Sequence, residues 1–148
     1  MKKNSLTAIF TALLGIALLA GCKKSTAVPT VQAQLADKIW LMQKVTEVRS
    51  GSPANVVYQR GATNNQEDFS LVRQKFNSNG TLDYTDENGI SGSNSHWELL
   101  DNNTRLKITF GGFGVTFEQF TISATQFSYK SPFATATDYV LYTFTSVP

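Results

Sequence analysis

From residue 39 onward the apolar side chains recur at every second position in short runs, and none of these runs holds the three-and-four spacing of a helix. No other feature restricts the chain as much. A period of two puts alternate side chains on opposite faces of an extended strand, so each run is read as a strand with one face for a core. The clearest case is 105–110, where Leu106, Ile108 and Phe110 alternate with Arg105, Lys107 and Thr109. In the run 71–76, Val72, Gln74 and Phe76 share one face, and Leu71, Arg73 and Lys75 share the other. Leu82 and Tyr84 are expected inward against Thr81 and Asp83, and Trp97 and Leu99 against His96 and Glu98. Trp40 to Val48 is the first run, and Phe127 and Tyr129 form a later one.

The connections carry turn chemistry. Asn77-Ser78-Asn79-Gly80 supplies an Asn-Gly pair able to take positive φ, a strong hairpin signal. Asp101 to Thr104 and Gly111 to Gly114 are read as turns as well. The polar stretch 50–68 is the longest connection, with room for one short strand around Val56–Tyr58, and 86–95 is a second loop. Val115 and Phe117 share one parity, whereas Phe120 and Ile122 share the other. One inserted residue near Glu118–Gln119 repairs the mismatch, which predicts a β-bulge there. The last run, Tyr139 to Phe144, is apolar on both faces, as expected of a strand that closes a barrel. The fold class is therefore all-β: one antiparallel meander of about eight strands that removes its edges by closing into a barrel.

The first residues have a different logic. Lys2 and Lys3 precede an apolar run from Ala8 to Ala20, too short for a comfortable permanent span and laid out as a secretory signal. It ends in Leu19-Ala20-Gly21-Cys22, which resembles the lipobox of bacterial lipoproteins. That resemblance implies cleavage after Gly21 and acylation of Cys22. Cys22 is the sole cysteine, so no internal disulfide is open to it, and lipidation accounts for a thiol in an exported chain. The expected organisation is a signal peptide at 1–21, a lipidated cysteine and flexible tether at 22–37, and a barrel domain at 38–148. The membrane is thus one expected partner, through the anchor. No aspartate and no acidic pair follows Cys22, and the expected location is the outer membrane of the cell envelope, on its periplasmic face.

Loss of the signal also removes the basic excess. The 13 Lys and Arg fall to 11 without Lys2 and Lys3, equal to the 11 Asp and Glu. A neutral domain has no electrostatic footprint for nucleic acid.

Four segments, taken in order, resemble the lipocalin-like domain family common in lipoproteins of Bacteroidetes. These are Trp40 opening the first strand, the hairpin Phe76 to Thr81, the stretch Trp97 to Ile108 with its polar turn, and Phe120 to Phe127. The likeness spans roughly 39–144, and it implies a barrel with an apolar interior. Typical lipocalins place glycine two residues before that tryptophan; Lys38 stands there in this chain.

Chemistry is sparse. His96 is the sole histidine and alternates outward, with no second histidine or free thiol to complete a metal site or a catalytic triad. No enzyme activity, metal or cofactor is expected. Asp83, Asp86, Glu87 and Asn88-Gly89 form an acidic loop without EF-hand spacing. Gly111–Gly114 follows a strand but opens no helix and carries no Lys-Ser/Thr, so it is no phosphate cradle. What remains is an aromatic set with one amide: Trp40, Gln74, Phe76, Trp97, Phe117, Tyr129 and Tyr142 share the inward parity and are the expected walls of a site for a small apolar ligand. The alternative is that these rings only fill the core, which would make the domain a structural or interaction module of the envelope.

Overall fold

The structure, a computed structural model, describes residues 29–133 and 137–147. The signal segment and Cys22 lie outside the described residues.

Among the described residues, nine strands follow one short helix. They are β1 (Ile39–Val48), β2 (Asn55–Gln59), β3 (Arg73–Phe76), β4 (Thr81–Thr85), β5 (Ser91–Leu100), β6 (Arg105–Phe110), β7 (Phe113–Ile122), β8 (Gln126–Pro132) and β9 (Tyr139–Val147). β3 to β9 pair in sequence order, all antiparallel, and β9 returns to β1 along nearly its whole length, from Ile39↔Val147 to Val48↔Tyr139. The ring is a closed eight-strand barrel, because β2 and β3 share one position. β3 pairs with the start of β1 (Ile39–Leu41) and β2 with its end (Lys44–Glu47).

Arg60 holds the point where β1 changes partner. Its backbone N–H donates to Gln43 O, its Nε to Met42 O at 2.7 Å and its Nη2 to Ser70 O at 2.9 Å. One guanidinium thereby satisfies carbonyls that a regular ladder would have paired. The β1 register against β9 also slips there, between Met42 and Lys44.

The predicted bulge in β7 is present. Glu118 pairs with Lys130 and Thr121 with Ser128, so one extra residue sits between them, and Gln119 takes φ 49°. Phe120 is thereby turned into the core at 5% exposure, and its N–H is recovered by Thr104 O. The short strand expected at Val56–Tyr58 is β2. The Asn-Gly turn places Gly80 at φ 83°, and Asp101, Asn102 and Asn103 all adopt positive φ in the β5–β6 turn.

Two expectations are corrected. The loop read at 86–95 ends at Ile90: Ser91 to Ser95 already belong to β5, because cross-strand pairing with β4 (Thr85↔Ser91, Tyr84↔Gly92) outweighs the weak strand preference of Ser and Gly. The tether also ends early. Val31–Leu35 forms helix α1, with Thr30 as N-cap accepting from Ala33 N–H, and Leu35 is fully buried. Five residues are too few to show helical periodicity. Tertiary burial of Leu35 supplies what propensity does not.

Strand direction sorts the connections to the two ends of the barrel. The turns β3–β4, β5–β6 and β7–β8 lie at one end, with α1 and the C-terminus. The connections β1–β2, β4–β5, β6–β7 and β8–β9 lie at the other. The first end is closed. Leu35, Trp40, Phe76, Leu82, Leu106, Ile108 and Phe127 are there or just above, each at most 1% exposed. Phe127 stands at the centre, 4.9 Å from Trp40 edge-on and 4.6 Å from Phe144 in a stack. Lys38 lies over the Trp40 ring at 5.5 Å and donates to Ala124 O at 2.9 Å, which ties β1 to the β7–β8 turn.

Candidate functional site

The opposite half of the barrel is not filled. A cavity of about 300 Å3 opens at the mouth, walled by Met42, Phe69, Val72, Gln74, Tyr84, Phe110, Phe117, Tyr129, Tyr142 and Phe144, with Thr85, Asp86 and Glu87 at its rim. The volume is at the low end for a small-molecule site. Alternation supplies most walls. Gln74 lies between Val72 and Phe76 on the inward face of β3, Phe117 is paired with Leu106, and Tyr129 is paired with Tyr142.

Of the seven expected wall residues, the structure brings Gln74, Phe117, Tyr129 and Tyr142 together around this cavity. Trp40, Phe76 and Trp97 share the inward parity but belong to the closed half, and they are corrected to core. Trp97 Nε1 donates to Asn77 O at 3.1 Å, and its ring meets Phe76 edge-on at 5.5 Å. Parity says which face a side chain takes. It does not say how far along the barrel axis that side chain lies. Met42, Phe69, Tyr84, Phe110 and Phe144 also line the cavity, beyond the set expected from the sequence. The signal for Tyr84 and Phe110 was available in their inward parity next to a mouth turn.

The rings leave little freedom. Phe117 and Tyr129 lie 4.3 Å apart, Tyr129 and Tyr142 5.5 Å, and Tyr84 meets Phe110 edge-on at 5.4 Å. Tyr84 lies across Gly92, its partner on β5. A Cβ at Gly92 would stand 2.5 Å from the Tyr84 ring. Alanine in place of glycine normally stabilises a strand by about 0.5–1 kcal/mol. Gly92→Ala is therefore expected to destabilise the protein while Tyr84 is present and to stabilise it in a Tyr84→Ala background. Urea denaturation of the four variants reads that change of sign; the same sign in both backgrounds would remove the Tyr84 wall from its stated place.

The polar groups are few and sit deep. Gln74 Nε2 donates to Tyr129 Oη at 3.4 Å, whereas Gln74 Oε1 is buried without a hydrogen-bond partner. Burial pushes the Tyr129 phenol up from its ordinary pKa, against the opposing effect of that amide bond. Burial also pushes Tyr142 up, followed by the carboxylates of Glu47 and Glu87.

Of the expected acidic loop, Asp83 belongs to β4, and the residues after it form a built turn. Asp86 Oδ1 accepts from Asn88 N–H at 2.9 Å and Ile90 N–H at 2.8 Å, and Asp83 accepts from Asn77 Nδ2 back on the β3–β4 hairpin. Among the described residues, no three His, Cys, Asp or Glu side chains are grouped to hold a metal ion. His96 is exposed on the outer face of β5, opposite Thr109. Gly111 and Gly112 both take positive φ in a two-residue hairpin turn.

Compared with known proteins, the chain matches no family model, no curated protein and no solved structure. The closed eight-strand antiparallel barrel is consistent with a lipocalin-like fold.

Proposed function

We propose that this protein is a lipid-anchored, non-enzymatic binding protein of the cell envelope that holds a small, largely apolar ligand in the barrel mouth. The observation that carries the reading is Gln74 Oε1, a buried acceptor without a partner, set into a cavity whose other walls are rings and aliphatic side chains. A buried amide oxygen left unpaired costs about 1–3 kcal/mol. A ligand with one hydroxyl or amine donor at its buried end offsets that cost, and its apolar body covers the rings. The closed half, packed with aromatic side chains, acts as the rigid base of such a site.

The test compares the full chain with Gln74→Leu across a panel of apolar compounds with and without a donor group, read as shifts in melting temperature. The variant is expected to lose its response to donor-bearing compounds and keep, or gain, response to plain hydrocarbons. Equal shifts across the panel count against the proposal. Native mass spectrometry after gentle purification gives a second reading: a retained ligand shows as a defined mass excess. A bare protein unresponsive to the whole panel supports instead the structural module, for which the filled closed half is the favouring observation.

A further inference from the structure

The mouth has a sign. No Lys, Arg or His lines the cavity, whereas Asp86 and Glu87 do. A third carboxylate faces the same space by register: Glu47 pairs with Val140, two residues along β9 from Tyr142 and on the same face. The nearby cations do not line the cavity. Arg73 alternates to the outer face of β3, and Arg49 lies over the Phe133 ring, where it reaches the half-buried Glu47 at 3.8 Å and offsets part of that charge. Glu87 is exposed and takes part in no ion pair among the described residues. Low-dielectric walls under a rim of one charge concentrate its field along the way in. The electron-rich faces of Tyr84, Phe110 and Tyr142 add attraction for a cation and none for an anion.

We infer that the cavity selects amines: a small aromatic or apolar body seated among Phe110, Phe117 and Tyr142, a donor at Gln74, and an ammonium at the Asp86–Glu87 rim, with carboxylate ligands such as fatty acids excluded. The inference rests on the binding reading above and adds the charge of the ligand to it. The excluded class follows from arithmetic of sign. A carboxylate head would enter beside Asp86 and Glu87, with no cation lining the cavity to replace its lost water. An ammonium there gains charge-assisted contacts with the rim.

Three probes of one shape separate the terms: tyramine, 4-ethylphenol and 3-(4-hydroxyphenyl)propionate. All present the same phenol to Gln74; they differ in the charge at the other end. Each is titrated calorimetrically into the full chain in lipid nanodiscs, with empty nanodiscs as the blank. Tyramine is expected to bind at least about tenfold more tightly than the propionate and several-fold more tightly than 4-ethylphenol. Glu87→Gln, which leaves the Asp86 turn intact, is expected to lower tyramine affinity by about three- to fivefold, the scale of one exposed ion pair, and to leave 4-ethylphenol unchanged. Raised salt is expected to shrink the tyramine advantage in the same direction. Propionate binding as tight as tyramine, or 4-ethylphenol equal to tyramine, overturns the charge selection while the binding cavity stands. Binding of none of the three overturns both.

Discussion

Trp40→Ala is expected to lower the stability of the protein by roughly 3–5 kcal/mol, the range for deleting a large buried ring. Trp40 is fully buried, edge-on to Phe127 at 4.9 Å, and its Nε1 donates to Leu35 O at 2.8 Å. The substitution thus removes three things together. It deletes ring area from the closed end, takes one wall from Phe127, and leaves the carbonyl that ends α1 buried without its donor. Trp40→Phe keeps most of the ring and loses the hydrogen bond, so the difference between the two variants separates packing from the bond. Trp97→Ala falls in the same range for the same reason, since Trp97 is 7% exposed and bonded to Asn77 O. Urea unfolding gives the measurement. A loss below about 1 kcal/mol for either tryptophan would mean that the closed end is not the core that these contacts describe. Ligand binding, measured well below the unfolding transition, is expected to survive either change, because neither ring lines the cavity.

Cys22→Ser has the largest expected effect on where the protein is found. The substitution removes the thiol that the proposed lipobox would present for acylation. Two or three acyl chains exceed what stable anchoring requires, and with none the neutral domain has nothing to replace them. The variant is expected to stay unprocessed or to leave the membrane fraction for the soluble one, with an intact mass lacking acyl groups. A Cys22→Ser chain that is cleaved after Gly21 and still membrane-bound would sink the lipoprotein reading. Acylation at Cys22, as proposed, would also set an orientation. Extended chain from Cys22 to Pro29 reaches at most about 25 Å, and α1 begins two residues later against the closed end. An anchor at Cys22 would then draw the closed end toward the bilayer and leave the mouth facing out. Exposed apolar side chains at the mouth include Leu71, Ile90, Phe113 and Phe133.

What could be read from the chain without coordinates was whatever a few neighbouring residues decide. Leu106, Ile108 and Phe110 point inward because strand geometry alternates faces without regard to the rest of the molecule. The β7 bulge was legible because Phe117 and Phe120 cannot share a face unless one residue is added between them. Gly80 takes positive φ because the Asn-Gly turn admits it at little cost. Closure of the meander followed from β9 being apolar on both sides. The tertiary structure decided the rest. Thr30 before Val31 and Leu35, four apart, is the trace of α1, but five residues hold no helix without the barrel end that buries Leu35. Ser91 to Ser95 are poor strand formers, held in β5 by β4 opposite them. The inward aromatic set divided into a packed base around Trp40, Phe76 and Trp97 and an open mouth around Gln74, Phe117, Tyr129 and Tyr142. Parity assigns a face and is blind to height along the axis. Height is set by register across strands far apart in sequence, and an unfilled space is the difference between a barrel's volume and all the side chains that reach into it, a quantity no local pattern contains.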